Sequence, residues 1–498
     1  MGFLMNAGQW PLLSVLVFLP LAGTIVLPLL RSDRASKIWA LAVTLLTAVL
    51  SLKLYTGFDA TTASYQFVED MAWIPFLNVR YTLGIDGISL LLVLLTTMLL
   101  PLCVLCSWRA IEKRVKEFLG CILLMETSML GVFMALDFVL FYVFWEAMLI
   151  PMFLLIGVWG GPRKIYASVK FFLYTLAGSV LLPVAMITLY LHSNPHTFSI
   201  PALMGQPYSP TLQACVFLAF FTAFAVKVPM FPFHTWLPAA HVEAPTAGSV
   251  LLASVLLKMG AYGFLRFCLP ITPLGVQTFG PYVLGLSLAG ILYGGFTALA
   301  QSDMKRLVAY SSVAHMGFVT LGIFVLNTAG VEGALLQMIN HGITTGALFL
   351  CVGIIYERTH SRELSAATGI GRFMPIYVTA LGLFGLSSLA FPGTNSFVGE
   401  FLVLAGSFAF STKMAIIAIP GVVLSAAYML RMLLRVIWGG TANPDQSHLS
   451  DLNWREIVTL APLALLVLWI GLSPAPFTEV FHVSVRHVLE QFRAGLHP

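Results

Sequence analysis

Charge is scarce in this chain. Only 9% of its 498 residues are Asp, Glu, Lys or Arg, while 59% are hydrophobic. No water-soluble core needs such an excess, so the composition excludes a soluble globular protein and indicates a polytopic membrane protein. Signatures of nucleotide chemistry are missing too: there is no GxGxxG turn and no Walker loop. The six cysteines lie mostly inside apolar segments, and Cys103 with Cys106 makes a single CxxC with no second pair. Core cysteines fit that pattern better than a metal or redox site. The expectation is a chain that carries no nucleotide, flavin, metal ion or iron–sulfur cluster itself. The net charge of +5 comes from basic residues scattered among short loops, which is no footprint for nucleic acid. Residues 1–9 hold no basic residue, and Arg31, Arg34 and Lys37 come after the first apolar run, so the N-terminus is expected not to be a cleavable signal.

What the chain has instead is apolar runs of spanning length. They read as an all-α fold of about 14 transmembrane helices, near 12–30, 38–56, 87–107, 118–136, 138–157, 168–191, 212–239, 246–268, 281–301, 307–326, 333–355, 375–410, 415–438 and 457–474. Two are irregular. In the seventh, the stretch AFAVKVPMFPFHTWLPAAH (residues 223–241) places Pro229 and Pro232 directly after Lys227. Two prolines three apart break a helix, because each removes a backbone donor and clashes with the preceding turn. About 15 apolar residues precede Lys227, too few for a full span, so the lysine should lie at membrane depth beside the break. The twelfth segment is broken at FPGTN (residues 391–395), and Glu400 follows.

Lys and Arg fall unevenly on the alternate loops. Eighteen of the 26 lie on one set, from Arg31 to Arg455; six lie on the other, and Lys227 and Lys258 sit within helices. By the positive-inside rule the richer set is cytoplasmic and both termini are outside. The two breaks lie five helices apart. Two five-helix units, 118–268 and 281–438, would each have the break in the fourth helix, and an odd number of crossings inverts the second unit. That is the inverted-repeat plan of transporters, whose broken helices mark an ion path. A three-helix segment (1–117) would precede the repeats, and a last helix with a tail (439–498) would follow them.

Seven ionisable residues lie at membrane depth, each on a different helix: Glu126, Glu146, Lys227, Lys258, His315, His341 and Glu400. A lone charge there costs ~2.5–3.5 kcal/mol on insertion scales, so such residues are rare without a function. The economical arrangement pairs Glu146 with Lys227 and gathers the others along a hydrated line. Histidine titrates near neutral pH, and a lysine held between desolvation and a carboxylate can release its proton. A structural ion pair, or a histidine that only bonds a helix, would look the same in sequence. Glu126 is the weakest of the carboxylates. His234 and His241, near the seventh-helix break, read as structural or loop residues; Asp137 and Arg163 read as interfacial charges.

At these residues the chain resembles a known family. FYVFWEAMLIPMFLLIG, AVKVPMFPFHTWLPAAHVEAPTAGSVLLASVLLKMGAYG, DMKRLVAYSSVAHMGF and FPGTNSFVGEF are similar to the antiporter-like subunits of respiratory complex I, and the match runs through nearly the whole chain. The resemblance implies a fourteen-helix proton-channel subunit of the membrane arm. Its functional Glu and two Lys fall on Glu146, Lys227 and Lys258, and its connecting histidines on His315 and His341. NADH, FMN, iron–sulfur clusters and quinone would belong to partner subunits. Three homologous subunits of this kind exist in the complex. The two called L and N have lysine on the twelfth helix, and L has a long lateral helix. Here the residue is Glu400, the chain ends soon after its last span, and the loop RTHSRE (residues 358–363) also fits the third. Implied partners are the other membrane subunits, L and N above all, in a bacterial cytoplasmic membrane. Subunits of multi-chain Na⁺/H⁺ antiporters, of membrane-bound hydrogenases and of the cyanobacterial photosynthetic complex are similar as well. A Na⁺/H⁺ antiporter or hydrogenase subunit is therefore the alternative, and Glu400 in place of lysine argues against the antiporter.

Overall fold

An apolar run crosses a bilayer only if its backbone groups bond one another, which a helix achieves within the segment. The computed structural model describes residues 10–439 and 449–496. Among them, 13 helices are long and apolar enough to span, from Leu12–Leu29 to Trp454–Leu472. Pro375–Ser388 and Asn395–Phe410 together make one more crossing, the broken twelfth. Each expected segment thus has its helix. The ninth starts earlier than expected, at Pro273, because Pro281 removes only one bond from a helix of 27 residues. Residues 1–9, where no signal sequence is expected, lie outside the described residues, as do 440–448 and 497–498 in the last segment.

Two elements lack spanning-length runs and were not expected from them. Gln66–Ile74 and Val79–Ile85 pair as an antiparallel hairpin, with Glu69 opposite Leu83 and Asp70 opposite Thr82. Glu69 caps the first spanning helix by accepting from Leu13 N at 2.7 Å and Ser14 N at 3.0 Å. The tail forms the helix Ala475–Ala494. Gly87 N donates to its Ser484 Oγ at 3.1 Å, and His482 Nδ1 lies 2.5 Å from Glu332 Oε1. The tail helix therefore crosses the ends of the third and eleventh helices.

The broken crossings run in opposite directions. The seventh starts where Leu274 N donates to Gln213 Oε1 (2.9 Å) and ends where Glu243 O accepts from Gly161 N (2.8 Å). The loop 358–363 ties that second face together, since Arg362 donates to Val242 O and Arg358 Nη2 to Glu456 Oε2 (2.7 Å). The twelfth starts on this face, where Ile376 N donates to Asp451 Oδ2 (2.8 Å), and ends where Asn327 Nδ2 donates to Gly406 O (2.8 Å). Three residues counted as loop charges are in fact helical and buried. Arg266 lies in the eighth helix, bonded to Asp86 Oδ1 at 2.7 Å; Lys305 in the tenth, with Nζ 2.5 Å from Ala244 O; and Arg455 in the fourteenth, with Nη1 donating to Leu105 O at 3.2 Å. Moving these three off the loops leaves the bias of the remaining residues intact.

Candidate functional site

The most enclosed of the spanning helices are the eighth (Thr246–Ile271), tenth (Met304–Phe324) and eleventh (Thr328–Thr359). They carry Lys258, His315 and His341, each at most 3% exposed. The eighth widens into a π turn at Leu252–Leu256, one turn before Lys258. Such turns rearrange the backbone bonding of a helix and are frequent at functional sites. The carbonyl of Ala253, inside it, accepts from Lys258 Nζ. The same Nζ lies 2.6 Å from His341 Nδ1. The His341 and His315 rings meet edge to face with centroids 5.8 Å apart. His315 Nδ1 is 2.9 Å from Glu400 Oε1, which also accepts from Gln337 Nε2 at 3.0 Å. On its other side, His315 Nε2 faces Tyr428 Oη at 3.3 Å and Ser388 Oγ at 3.4 Å.

Close helix packing sets this line. A Cβ on Gly399 would meet Gln337 Oε1 at 2.6 Å, and one on Gly333 would meet Val403 N at 2.6 Å. Glycine at both positions lets the eleventh and twelfth helices touch through their backbones, which carries Glu400 to Gln337 and His315. The twelfth-helix break is tied by side chains. Asn340 Nδ2 donates to Asn395 O at 2.7 Å, and Asn395 Oδ1 accepts from Ser387 Oγ at 2.5 Å and Thr344 Oγ1 at 3.3 Å. Gly393 takes φ +89, a left-handed conformation in which glycine alone is unstrained.

The seventh-helix break is built differently. Met230 N bonds Ala225 O at 2.9 Å, and the Trp236 indole N–H bonds Val226 O at 2.9 Å. Carbonyls released by the prolines are thereby satisfied. Lys227 ends the helix Pro210–Lys227, 2% exposed, with Nζ 5.0 Å from the centre of the Trp145 ring. Its ammonium has no hydrogen-bond partner among the described residues. The expected Glu146–Lys227 ion pair is therefore not closed. Glu146 lies half-buried, near the end of the helix Phe138–Ala147, and accepts from Ser179 Oγ at 2.5 Å. Ser179 ends the helix Lys164–Ser179, so a hydroxyl is available to the carboxylate, while the indole face of Trp145 takes the ammonium. Glu146 remains near enough to act on Lys227 electrostatically.

Of the seven sequence candidates, then, four form one connected line, Glu146 and Lys227 lie within electrostatic range without an ion pair, and Glu126 stands apart. Glu126 is fully buried in the fourth helix, and neither of its oxygens has a partner among the described residues. His241, read as structural, sits fully buried against the Phe349 ring (4.5 Å between centroids), with neither ring nitrogen bonded among the described residues. Lys258, Lys305 and His341 all lie within electrostatic range of it. Ser387, Ser388 and Tyr428 were missed because a hydroxyl in an apolar helix carries no signal of its own.

The chain's likenesses extend over nearly its whole length. Residues 135–426 match the family described as "NADH:quinone oxidoreductase/Mrp antiporter, TM", and residues 15–132 that described as "NADH-ubiquinone oxidoreductase chain 4, amino terminus". NADH-quinone oxidoreductase subunit M of Rhodobacter capsulatus is 49% identical, over 97% of this chain and 98% of its own. A chain of respiratory complex I from Thermus thermophilus, solved with bound NADH, superposes with a TM-score of 0.89 at 31% identity, covering 96% of this chain and 99% of that one. A chain of the Mrp complex from Dietzia sp. DQ12-45-1b gives a TM-score of 0.83 at 22% identity over 97% of this chain and 55% of its own, a likeness of fold alone. These matches define an antiporter-like membrane fold. The chain belongs to the NADH–quinone oxidoreductase subunit M (chain 4) family.

Proposed function

We propose that this chain moves protons across a bacterial cytoplasmic membrane as a redox-free subunit of the membrane arm of NADH–quinone oxidoreductase. NADH, FMN, iron–sulfur clusters and quinone belong to partner subunits, and the homologous L and N subunits are its neighbours. Both termini face outward, as the excess of Lys and Arg on the opposite loops supports. The two broken, oppositely directed crossings support a pair of inverted repeats, 118–268 and 281–438.

The observation that carries the reading is the line Lys258, His341, His315, Glu400, which crosses four helices with contacts of 2.6 Å and 2.9 Å at its ends. A signal from a neighbour reaches the half-buried Glu146 and alters its hold on Lys227. A proton then passes to Lys258, whose ammonium donates to His341 Nδ1. Imidazole takes a proton on one nitrogen and gives it up from the other. Between the two rings the proton crosses by a water or a ring rotation, and His315 hands it to Glu400. His241 extends the line from Lys258 toward Lys305 and the basic face, which makes it a route of uptake. The test is proton translocation per NADH in vesicles for Lys258→Met, with assembly checked on a native gel. Pumping is expected to fall while the complex assembles; unchanged pumping in assembled complex overturns the reading.

A further inference from the structure

Outside the buried line, a basic cavity of about 270 Å³ opens where the sixth and tenth helices begin and the seventh and ninth end, so it lies at one membrane face. Arg163, Lys170 and Arg306 line it with Tyr166, Tyr310 and one carboxylate, Glu243. Glu243 is already engaged: Oε2 accepts from Arg163 N at 2.9 Å, and Oε1 lies 3.8 Å from Arg163 Nε. Lys170 lies over the Tyr166 ring at 5.6 Å, and neither it nor Arg306 forms an ion pair among the described residues. Three cations against one occupied carboxylate leave the cavity positive.

The walls below it are apolar and open. On the sixth helix Ile165, Val169 and Leu173 follow at four-residue spacing, exposed by 65%, 41% and 57%; on the ninth, Phe296 is exposed by 62%. A helix stripe of that spacing leads from the cavity into the hydrocarbon. Basic pockets between spanning helices bind phospholipid head groups, and tyrosine favours the headgroup level. We propose that this cavity binds the phosphodiester headgroup of an anionic phospholipid, with its acyl chains along Ile165, Val169, Leu173 and Phe296. A free phosphate would meet the same cations but leave the apolar walls uncovered. Thr235, Pro238 and Ala239 of the broken seventh crossing also line the cavity, so the bound lipid braces the half-helix that follows Lys227.

The assembled complex is stripped of lipid, then exposed to vesicles of phosphatidylglycerol or phosphatidylcholine, and the retained lipids are counted by native mass spectrometry. A photo-crosslinking residue at Tyr166 reports what lies on the wall. The variants are R163Q/K170Q/R306Q and the milder K170Q/R306Q, which keeps Arg163 on Glu243. The wild-type complex should hold one phosphatidylglycerol in preference to phosphatidylcholine, and the double variant should bind it roughly tenfold or more weakly. The crosslink should carry lipid. Equal retention by the double variant, displacement by millimolar inorganic phosphate, or a crosslink to a neighbouring subunit overturns the proposal.

Discussion

The two broken crossings solve one physical problem in opposite ways. At the twelfth, asparagine and hydroxyl side chains tie the break, and its charged residue is held twice, by His315 and Gln337. At the seventh, backbone and indole groups close the break, and its charged residue rests on an aromatic face with no hydrogen bond among the described residues. A buried ammonium without a hydrogen bond is a group whose balance a small change nearby can tip. The seventh break is thus suited to respond to a signal, and the twelfth to hold the end of a path.

The largest effect is expected at Lys227 and Glu146. Lys227→Ala or Glu146→Ala should remove most proton pumping and slow coupled NADH oxidation, with the complex still assembled on a native gel. Glu400→Gln, which keeps an oxygen for Gln337, should lose less than Lys227→Ala. If Glu400→Gln proves the worse, the contrast between the breaks is reversed.

Removing the ties should cost stability instead. Asn395→Ala removes the amide oxygen that accepts from Ser387 and Thr344, whose hydroxyls keep their bond to each other (2.7 Å), and Trp236→Phe strands the Val226 carbonyl; each should cost about 1–3 kcal/mol, measured as the thermal unfolding of the purified complex. Asn395→Ala should also loosen the hold on Glu400, whereas Trp236→Phe should leave that end of the line undisturbed. Pumping by Asn395→Ala at wild-type level would separate the tied break from function.

A smaller effect is expected at the start of the third helix, which Asp86 caps. Burial opposes its charge, but Arg266 and Ser89 outweigh that and hold the carboxyl below its ordinary 3.8. A lowered folded value gives stability above the unfolded value that is lost as pH falls through the folded one. Hydrogen exchange in the helix Ala475–Ala494, which rests on this end, should thus stay slow down to about pH 4 and quicken below 3.8. Asp86→Asn should abolish that step; a step unchanged in the variant assigns it to another group.

The smallest contrast is one of side. Cysteine placed at His196, exposed after the sixth helix, should label from outside intact cells. Cysteine at His360, in the loop with Arg362, should not. The reverse labelling overturns the orientation.

Much of this was legible in the sequence because hydrocarbon makes both signals strong. Spanning length shows in composition, and the two proline-bearing breaks are local. Lys258, His315, His341 and Glu400 stood out because ionisable groups are costly where they lie. What was not legible depends on neighbours far along the chain. The Glu146–Lys227 contact was inferred from economy of charge, whereas Ser179 and Trp145 supplied other partners. Asp86 with Arg266, 180 residues apart, could not be paired from spacing. His241 was read as a structural or loop residue because it lies near the seventh-helix break, and the sequence does not show that it is fully buried. The hairpin and the tail helix lie against the ends of spanning helices, and no long apolar run announces either element.

The most direct test of the account is proton translocation per NADH in vesicles carrying Lys227→Arg. Arginine keeps the charge and can still lie over Trp145, but it stays protonated at any physiological pH. If Lys227 must release a proton, the arginine complex should pump nearly as poorly as Lys227→Ala. Full pumping by the arginine variant would contradict the account and leave Lys227 as a fixed positive charge.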